Sequence, residues 1–283
     1  MTYSTLVSIE TLASHLNDPD WLIFDCRFDL NDLDWGFSQY QAGHIPGAVY
    51  VHLNEDLSGK ITSKSSRHPL PDPQVFAAKC DAWGIQPEVQ VVVYDHAGGS
   101  FADRMWWMLR AIGHQQVAVL DGGYPKWRAE NRPVLQGIEK PRKPGSGMAG
   151  VRFNSQLLLN ADDIENILDN PAYRLIDARA PERFSGSVEP LDPVPGHIPG
   201  AINRYYGLDL NPDGTFKSAD VLKAEYQSLL NGISPENAIV YCGSGVTSCH
   251  LLVAMEVAGI KGARLYAGSW SEWCKDPARP KFP

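Results

Sequence analysis

Cys242 opens the hexapeptide Cys242-Gly243-Ser244-Gly245-Val246-Thr247, which lies between two very different runs. Ala238-Ile239-Val240-Tyr241 before it is apolar and β-favouring, the pattern of a buried strand. Ser248 to Ala258 behind it is rich in Leu, Val, Ala and Met, has no Gly or Pro, and predicts a helix. The spacing puts a thiol at a strand end, on a tight loop that feeds a helix N-terminus. Gly243 and Gly245 permit positive φ, so successive backbone N–H groups can turn toward one point and form an anion-binding nest. The helix start adds roughly half a positive charge. Both effects favour a thiolate, the reactive form of cysteine. A lone cysteine is often just a small buried hydrophobe. The Gly-Ser-Gly loop at a strand-to-helix turn points instead to a nucleophile.

Two other chemistries use similar loops, and the spacing argues against both. A cysteine phosphatase needs an arginine at the sixth position after its cysteine to grip phosphate; here that position is Ser248. A serine hydrolase elbow, G-x-S-x-G around Ser244, would need glycines where Cys242 and Val246 stand.

The surrounding chain has 283 residues, 43% hydrophobic and 20% charged, which fits a soluble globular protein of one or two domains. No apolar run is long enough to span a bilayer. The opening residues lack a basic stretch followed by an apolar core, so neither a membrane partner nor a secretory signal is expected. Five scattered cysteines without a C-x-x-C pair suggest neither zinc ligation nor a disulfide framework, and a cytoplasmic location follows as the expectation. A net charge of −8 without a basic patch argues against nucleic acid. An anionic ligand must then be drawn by a local field.

The first half alternates strand and helix: a helix from Ile9 to Leu16 capped by Ser8, a strand Leu22–Asp25, a turn Gly43-His44-Ile45-Pro46-Gly47-Ala48, a helix Asp72–Trp83, a strand Val89–Tyr94, a helix Phe101–Ile112 and a strand Val117–Leu120. The second half repeats it. Leu175-Ile176-Asp177-Ala178-Arg179 mirrors Ile23-Phe24-Asp25-Cys26-Arg27, and Gly196-His197-Ile198-Pro199-Gly200-Ala201 repeats Gly43–Ala48 residue for residue. Val240-Tyr241 mirrors Val93-Tyr94, and Ala267–Trp270 with Trp273 mirrors Asp121–Tyr124 with Trp127. This is one domain written twice, and each copy is expected to be α/β, a mostly parallel sheet flanked by helices. The expected boundaries are residues 1–136, a Gly/Pro-rich linker at 137–150, and 151–283. Aligning Tyr94 with Tyr241 puts Asp95 where Cys242 sits. The first copy then has no thiol, and Asp95 reads as an anchor that accepts the loop N–H groups. Chemistry belongs to the second copy.

With the Asp-x-Arg strand ends, both Gly-His-Ile-Pro-Gly-Ala turns, the Trp106-Trp107 helix and Cys-Gly-Ser-Gly-Val-Thr in view, the chain resembles the tandem-domain rhodanese family, the thiosulfate and 3-mercaptopyruvate sulfurtransferases. The cysteine loop looks like the mercaptopyruvate branch. The resemblance implies transfer of sulfane sulfur from a small anionic donor to Cys242, and from the resulting persulfide to a thiol, cyanide or thioredoxin-like acceptor, with no metal or organic cofactor. It implies donor binding by Arg183, in the segment Asp177–Phe184, and by the loop residues Gly243, Gly245, Val246 and Thr247. Ser244 would bond the donor carbonyl, with His44 and an acid such as Asp34 behind it. Some of these residues also have structural readings: Thr247 as a helix N-cap, His44 as a turn residue repeated by His197, Arg179 as an ion pair, Cys249 and His250 as packing that points away from the loop mouth, and the tryptophan pair as core. The chain departs from the branch at Glu189-Pro190-Leu191-Asp192-Pro193, where a second donor-binding arginine would stand. That clamp is missing or replaced. A non-enzymatic sulfur carrier or regulator is the remaining alternative.

Overall fold

The structure, a computed structural model, describes residues 2–140, 144–145 and 150–282. Part of the expected linker, 141–143 and 146–149, therefore lies outside the described residues. Packing divides the chain into two units: residues 1–58, 71–153 and 211–216 in the first, and 59–70, 154–210 and 217–283 in the second.

The first unit contains β1 (Leu6–Val7), α1 (Ile9–Ser14), β2 (Trp21–Asp25), α2 (Trp35–Ala42), β3 (Ala48–Tyr50), α3 (Pro73–Trp83), β4 (Gln90–Tyr94), α4 (Ala102–Ala111), β5 (Val117–Leu120) and α5 (Gly123–Ala129). Its five strands are parallel in the order β1-β5-β4-β2-β3. The second unit contains β6 (Leu158–Leu159), α6 (Ala161–Ile167), β7 (Arg174–Asp177), α7 (Pro181–Phe184), β8 (Ile202–Asn203), α8 (Ala219–Leu230), β9 (Ala238–Tyr241), α9 (Ser248–Val257), β10 (Arg264–Tyr266) and α10 (Ser269–Trp273). Its sheet has the equivalent parallel order β6-β10-β9-β7-β8. The central strands β4 and β9 are buried along their whole length, which is why they read as continuous apolar runs without alternation. The two-residue edge strands β1 and β6 are too short to carry such a pattern.

Local signals place the helix starts. Ser8 accepts the Thr11 N–H, and Asp72 accepts those of Gln74 and Val75 with Pro73 behind it. Asn160 and Asp163 form a reciprocal capping box.

The repeated motifs make the same bonds in both copies. Asp25 grips Arg27, whose Nη2 also donates to the Gly43 carbonyl at 2.7 Å. Asp177 grips Arg179, whose Nη2 donates to the Gly196 carbonyl at 2.8 Å. Burial alone would depress the Arg179 guanidinium, but the Asp177 carboxylate outweighs it and holds the group firmly charged. The Ile45 and Ile198 N–H groups donate to Tyr94 and Tyr241. Trp127 and Trp273 each donate a ring N–H to a proline carbonyl, of Pro133 and Pro280. Trp106 and Trp107 are both buried inside the first unit, where Trp106 donates to the Ser4 carbonyl and Trp107 stacks on Phe153.

Candidate functional site

The strand β9 ends at Tyr241, and the next residue carries the thiol. Cys242 is 3% exposed, its N–H donates to Ser269 Oγ at 3.1 Å, and the Gly245 N–H donates to its Sγ at 3.2 Å. The loop carbonyls are tied down as well: Trp270 N–H donates to Cys242 O and Ser271 N–H to Gly243 O. Gly245 adopts φ +79°, and a Cβ there would collide with the Ala267 backbone. Of the two loop glycines only this one uses the left-handed region; a Cβ at Gly243 would meet the ends of the Arg67 and Arg183 side chains.

The first copy shows what such a loop does to an anion. Asp95 Oδ1 accepts the N–H groups of Ala97 and Gly99, and Oδ2 those of Phe101 and Ala102, at 2.8–3.0 Å. One carboxylate thus collects four backbone donors. Elsewhere, burial pushes the Cys26, Cys80 and Cys274 thiols up, the last to about 11, and these three stay protonated.

Ser244 is 5% exposed, and its Oγ lies 2.8 Å from Nδ1 of His68. The histidine beside the serine is therefore His68, not His44. His44 is fully buried in the first unit, with Nδ1 on the Tyr40 carbonyl and its ring stacked on Tyr40. Its repeat partner His197 does the same with the Phe184 carbonyl and ring. Both are turn residues. Asp34 is exposed at the start of α2, without a side-chain cap bond, and also belongs to the first unit. His68 belongs to the segment 59–70, which packs with the second unit.

Arg183, on α7, is 18% exposed and held by Glu189 through Nε and Nη2, while Nη2 also reaches Asp192 Oδ2 at 3.2 Å. Glu189 is itself nearly buried. Burial favours its neutral form, but the Arg183 bonds and the Leu191 and Asp192 N–H groups outweigh this and hold the carboxyl below its usual range. Arg67 forms an ion pair with the other oxygen of Asp192. Arg67 and His68 were not singled out from the sequence; the available signal was the stretch from 51 to 72, a long connection with no regular element of its own, of the kind that often carries function.

Thr247 occupies the N-cap position of α9 but its side chain makes no cap bond. Val246 is buried. Cys249 does not point away from the loop: its thiol donates to the Gly245 carbonyl at 3.5 Å and backs the loop from the helix side. His250 packs edge-on against Tyr206 and lies 3.9 Å from Asp209. No helix among the described residues is long and apolar enough to cross a membrane.

Two α/β units of identical strand order, one holding a cysteine at a strand-to-helix loop and the other a carboxylate at the same point, define a duplicated cysteine-loop protein. The profile of the rhodanese-like domain matches residues 8–130 and 160–276, and the chain belongs to that family in two copies. It is 43% identical to a probable 3-mercaptopyruvate sulfurtransferase of Pseudomonas aeruginosa, over 99% of this chain and 98% of that protein. It is 40% identical to a putative thiosulfate sulfurtransferase of Mycobacterium tuberculosis, over 97% and 95%. Among solved structures, a 3-mercaptopyruvate sulfurtransferase from Leishmania major superposes with a TM-score of 0.83 at 29% identity, over 95% of this chain and 74% of that one.

Proposed function

We propose that this protein is a sulfurtransferase that carries sulfane sulfur on Cys242. The observation that carries the reading is the Cys242 loop, in which a backbone N–H already donates to the sulfur and arginine side chains stand beside the next residue. The relatives named for two donors, 3-mercaptopyruvate and thiosulfate, support the same class of chemistry.

In the first step the Cys242 thiolate attacks the donor sulfur and an S–S bond forms. With 3-mercaptopyruvate the C–S bond breaks, its electron pair enters the enolate of pyruvate, and a proton completes the product. With thiosulfate the S–S bond of the donor breaks and sulfite leaves with the pair, needing no proton. In the second step an acceptor thiolate, cyanide or a thioredoxin-like protein attacks the outer sulfur and returns Cys242 to its thiolate. Gly243, Gly245, Val246 and Thr247 line the path of the developing charge, and the loop N–H groups stabilise it as oxyanion-hole donors do. Ser244, held by His68, donates to the donor carbonyl as it becomes an enolate. Arg183 binds the carboxylate or sulfonate end through its planar fork. The first unit, with Asp95 in the equivalent loop, is scaffold, and residues 151–283 carry the chemistry together with the segment that brings His68. The reaction is assigned to the cytoplasm, where reducing conditions keep Cys242 free.

Initial rates of thiocyanate formation from cyanide, with 3-mercaptopyruvate and thiosulfate in parallel, test this. Wild-type protein should turn over at least one donor, and Cys242→Ser should abolish the activity. Activity that survives Cys242→Ser overturns the persulfide route. Silence with both donors favours a non-enzymatic sulfur carrier.

A further inference from the structure

The segment Glu189–Pro193 carries no arginine, yet a second guanidinium stands beside Arg183. We propose that Arg67 is the other half of a two-arginine clamp for the anionic end of the sulfur donor, an assignment that rests on the sulfurtransferase reading. Three features of the second unit support it.

The first is convergence. A Cβ built on Gly243 would lie 2.8 Å from Arg67 Nη2 and 3.4 Å from both Nη1 and Nη2 of Arg183. The two side chains therefore meet over the residue that follows the nucleophile, and the hydrogen at Gly243 leaves the space between them open. The second is spacing. The Asp192 carboxylate already spans the pair, one oxygen on Arg67 Nη1 and the other 3.2 Å from Arg183 Nη2. A separation that one carboxylate can bridge suits the carboxylate of a 2-oxo acid or the sulfonate of thiosulfate equally well. The third is what remains unused. Among the described residues, Arg67 Nη2 and Arg183 Nη1 carry no hydrogen bond, and both face Gly243. Each arginine spends one edge on its acidic support and keeps the other for a ligand.

Arg67 is also fixed in place. Its N–H donates to Ser271 Oγ at 3.1 Å, the next residue, His68, bonds Ser244, and Lys275 Nζ donates to the Ser65 carbonyl at 2.7 Å. These bonds set the chain on both sides of Arg67 against α10 and the cysteine loop. The Arg67 side chain stays 25% exposed, within reach of an arriving anion. Asp192, only 2% exposed, acts as the support that aims both forks.

Steady-state kinetics on the full chain test the assignment, with Arg67→Ala, Arg67→Lys and Arg67→Gln and both donors. A lost clamp residue should raise the donor KM about 10–100-fold while kcat stays within about threefold, because uniform binding is removed. Arg67→Lys should recover part of the loss, since lysine restores charge without the fork. Competitive inhibition by pyruvate should weaken in parallel. If Arg67→Gln and Arg67→Ala leave KM and the pyruvate Ki within twofold, or lower kcat alone, Arg67 merely supports His68 and the clamp assignment falls. A wild-type protein inert toward both donors removes the sulfurtransferase reading and the clamp with it; an active wild type with unaltered variants removes only the clamp.

Discussion

Gly243→Ala and Gly245→Ala exchange one hydrogen for a methyl two residues apart in the same loop, and they should fail in opposite ways. Gly245 has φ +79°, a region that costs an L-residue about 1–2 kcal/mol. Its new methyl would also strike Ala267 backbone atoms, which cannot swing aside, and forced overpacking adds about 1–3 kcal/mol. The sum, about 2–5 kcal/mol, corresponds to roughly 10 °C in the transition of the second unit. The loop shift that relieves the clash moves the N–H now 3.2 Å from Cys242 Sγ. Losing one preorganised donor at developing charge costs about 10²–10³ in kcat. Gly243 has no positive φ, and its methyl would meet only the ends of the Arg67 and Arg183 side chains. Its stability should change by less than about 1 kcal/mol, while the donor KM rises about tenfold, the worth of one hydrogen bond to a charged group. Calorimetry and donor kinetics on the two variants suffice. A Gly245→Ala protein that melts with the wild type and keeps its kcat would refute the account of the loop, as would a Gly243→Ala protein whose KM is unchanged.

Two further outcomes follow from the same structure. His68→Ala should lower kcat with 3-mercaptopyruvate about 10²-fold and far less with thiosulfate, because only the enolate leaving group needs a proton; equal losses with both donors would make His68 a support for the loop instead. Burial lowers the pKa of His114, as it does for His96 and His197, so folding favours the neutral ring. The stability from such a group is complete above pH 6.5 and drains away as pH falls toward its folded value, at up to about 1.4 kcal/mol per pH unit for each proton. The urea midpoint should therefore fall between pH 7 and pH 5, and His114→Gln should flatten that fall; Glu189, held below the usual carboxyl range, loses its contribution only at lower pH and leaves the window clear.

How much of this was legible in the sequence depends on the range over which each feature is written. The strand–loop–helix around Cys242 is contiguous, so composition and glycine placement disclosed it. The duplication was legible because Asp25–Arg27 and Asp177–Arg179, the two Gly-His-Ile-Pro-Gly-Ala turns and the Trp127 and Trp273 anchors make local bonds that require the same residues twice. The partners of the loop were not legible. His68 and Arg67 lie more than a hundred residues before Cys242, in a stretch with no periodicity, and only packing shows that 59–70 joins the second unit. His44 stands out in the sequence because it sits in a recognisable motif, whereas its bond to the Tyr40 carbonyl is visible only in space.

The acids beside the loop also bear on how a chain of net charge −8 would bind the anionic donor proposed for it. At physiological ionic strength fields decay over about 8 Å, so most of that charge is screened from the loop. The side chains that stand beside Gly243 are Arg67 and Arg183, held by Asp192 and Glu189, two charges of each sign. Attraction by net local charge is absent even there. Direction replaces it: Glu189 holds Arg183, Asp192 bridges Arg183 and Arg67, and Arg67 Nη2 and Arg183 Nη1 face Gly243. Such a site favours a planar or tetrahedral oxyanion that can take two N–H groups at once over a monovalent ion of the same charge, because a spherical ion gains nothing from the fork geometry. In the proposed clamp, selectivity would thus rest on where hydrogen-bond donors point, and the nearly buried Asp192 and Glu189 carboxylates would be part of how they are aimed.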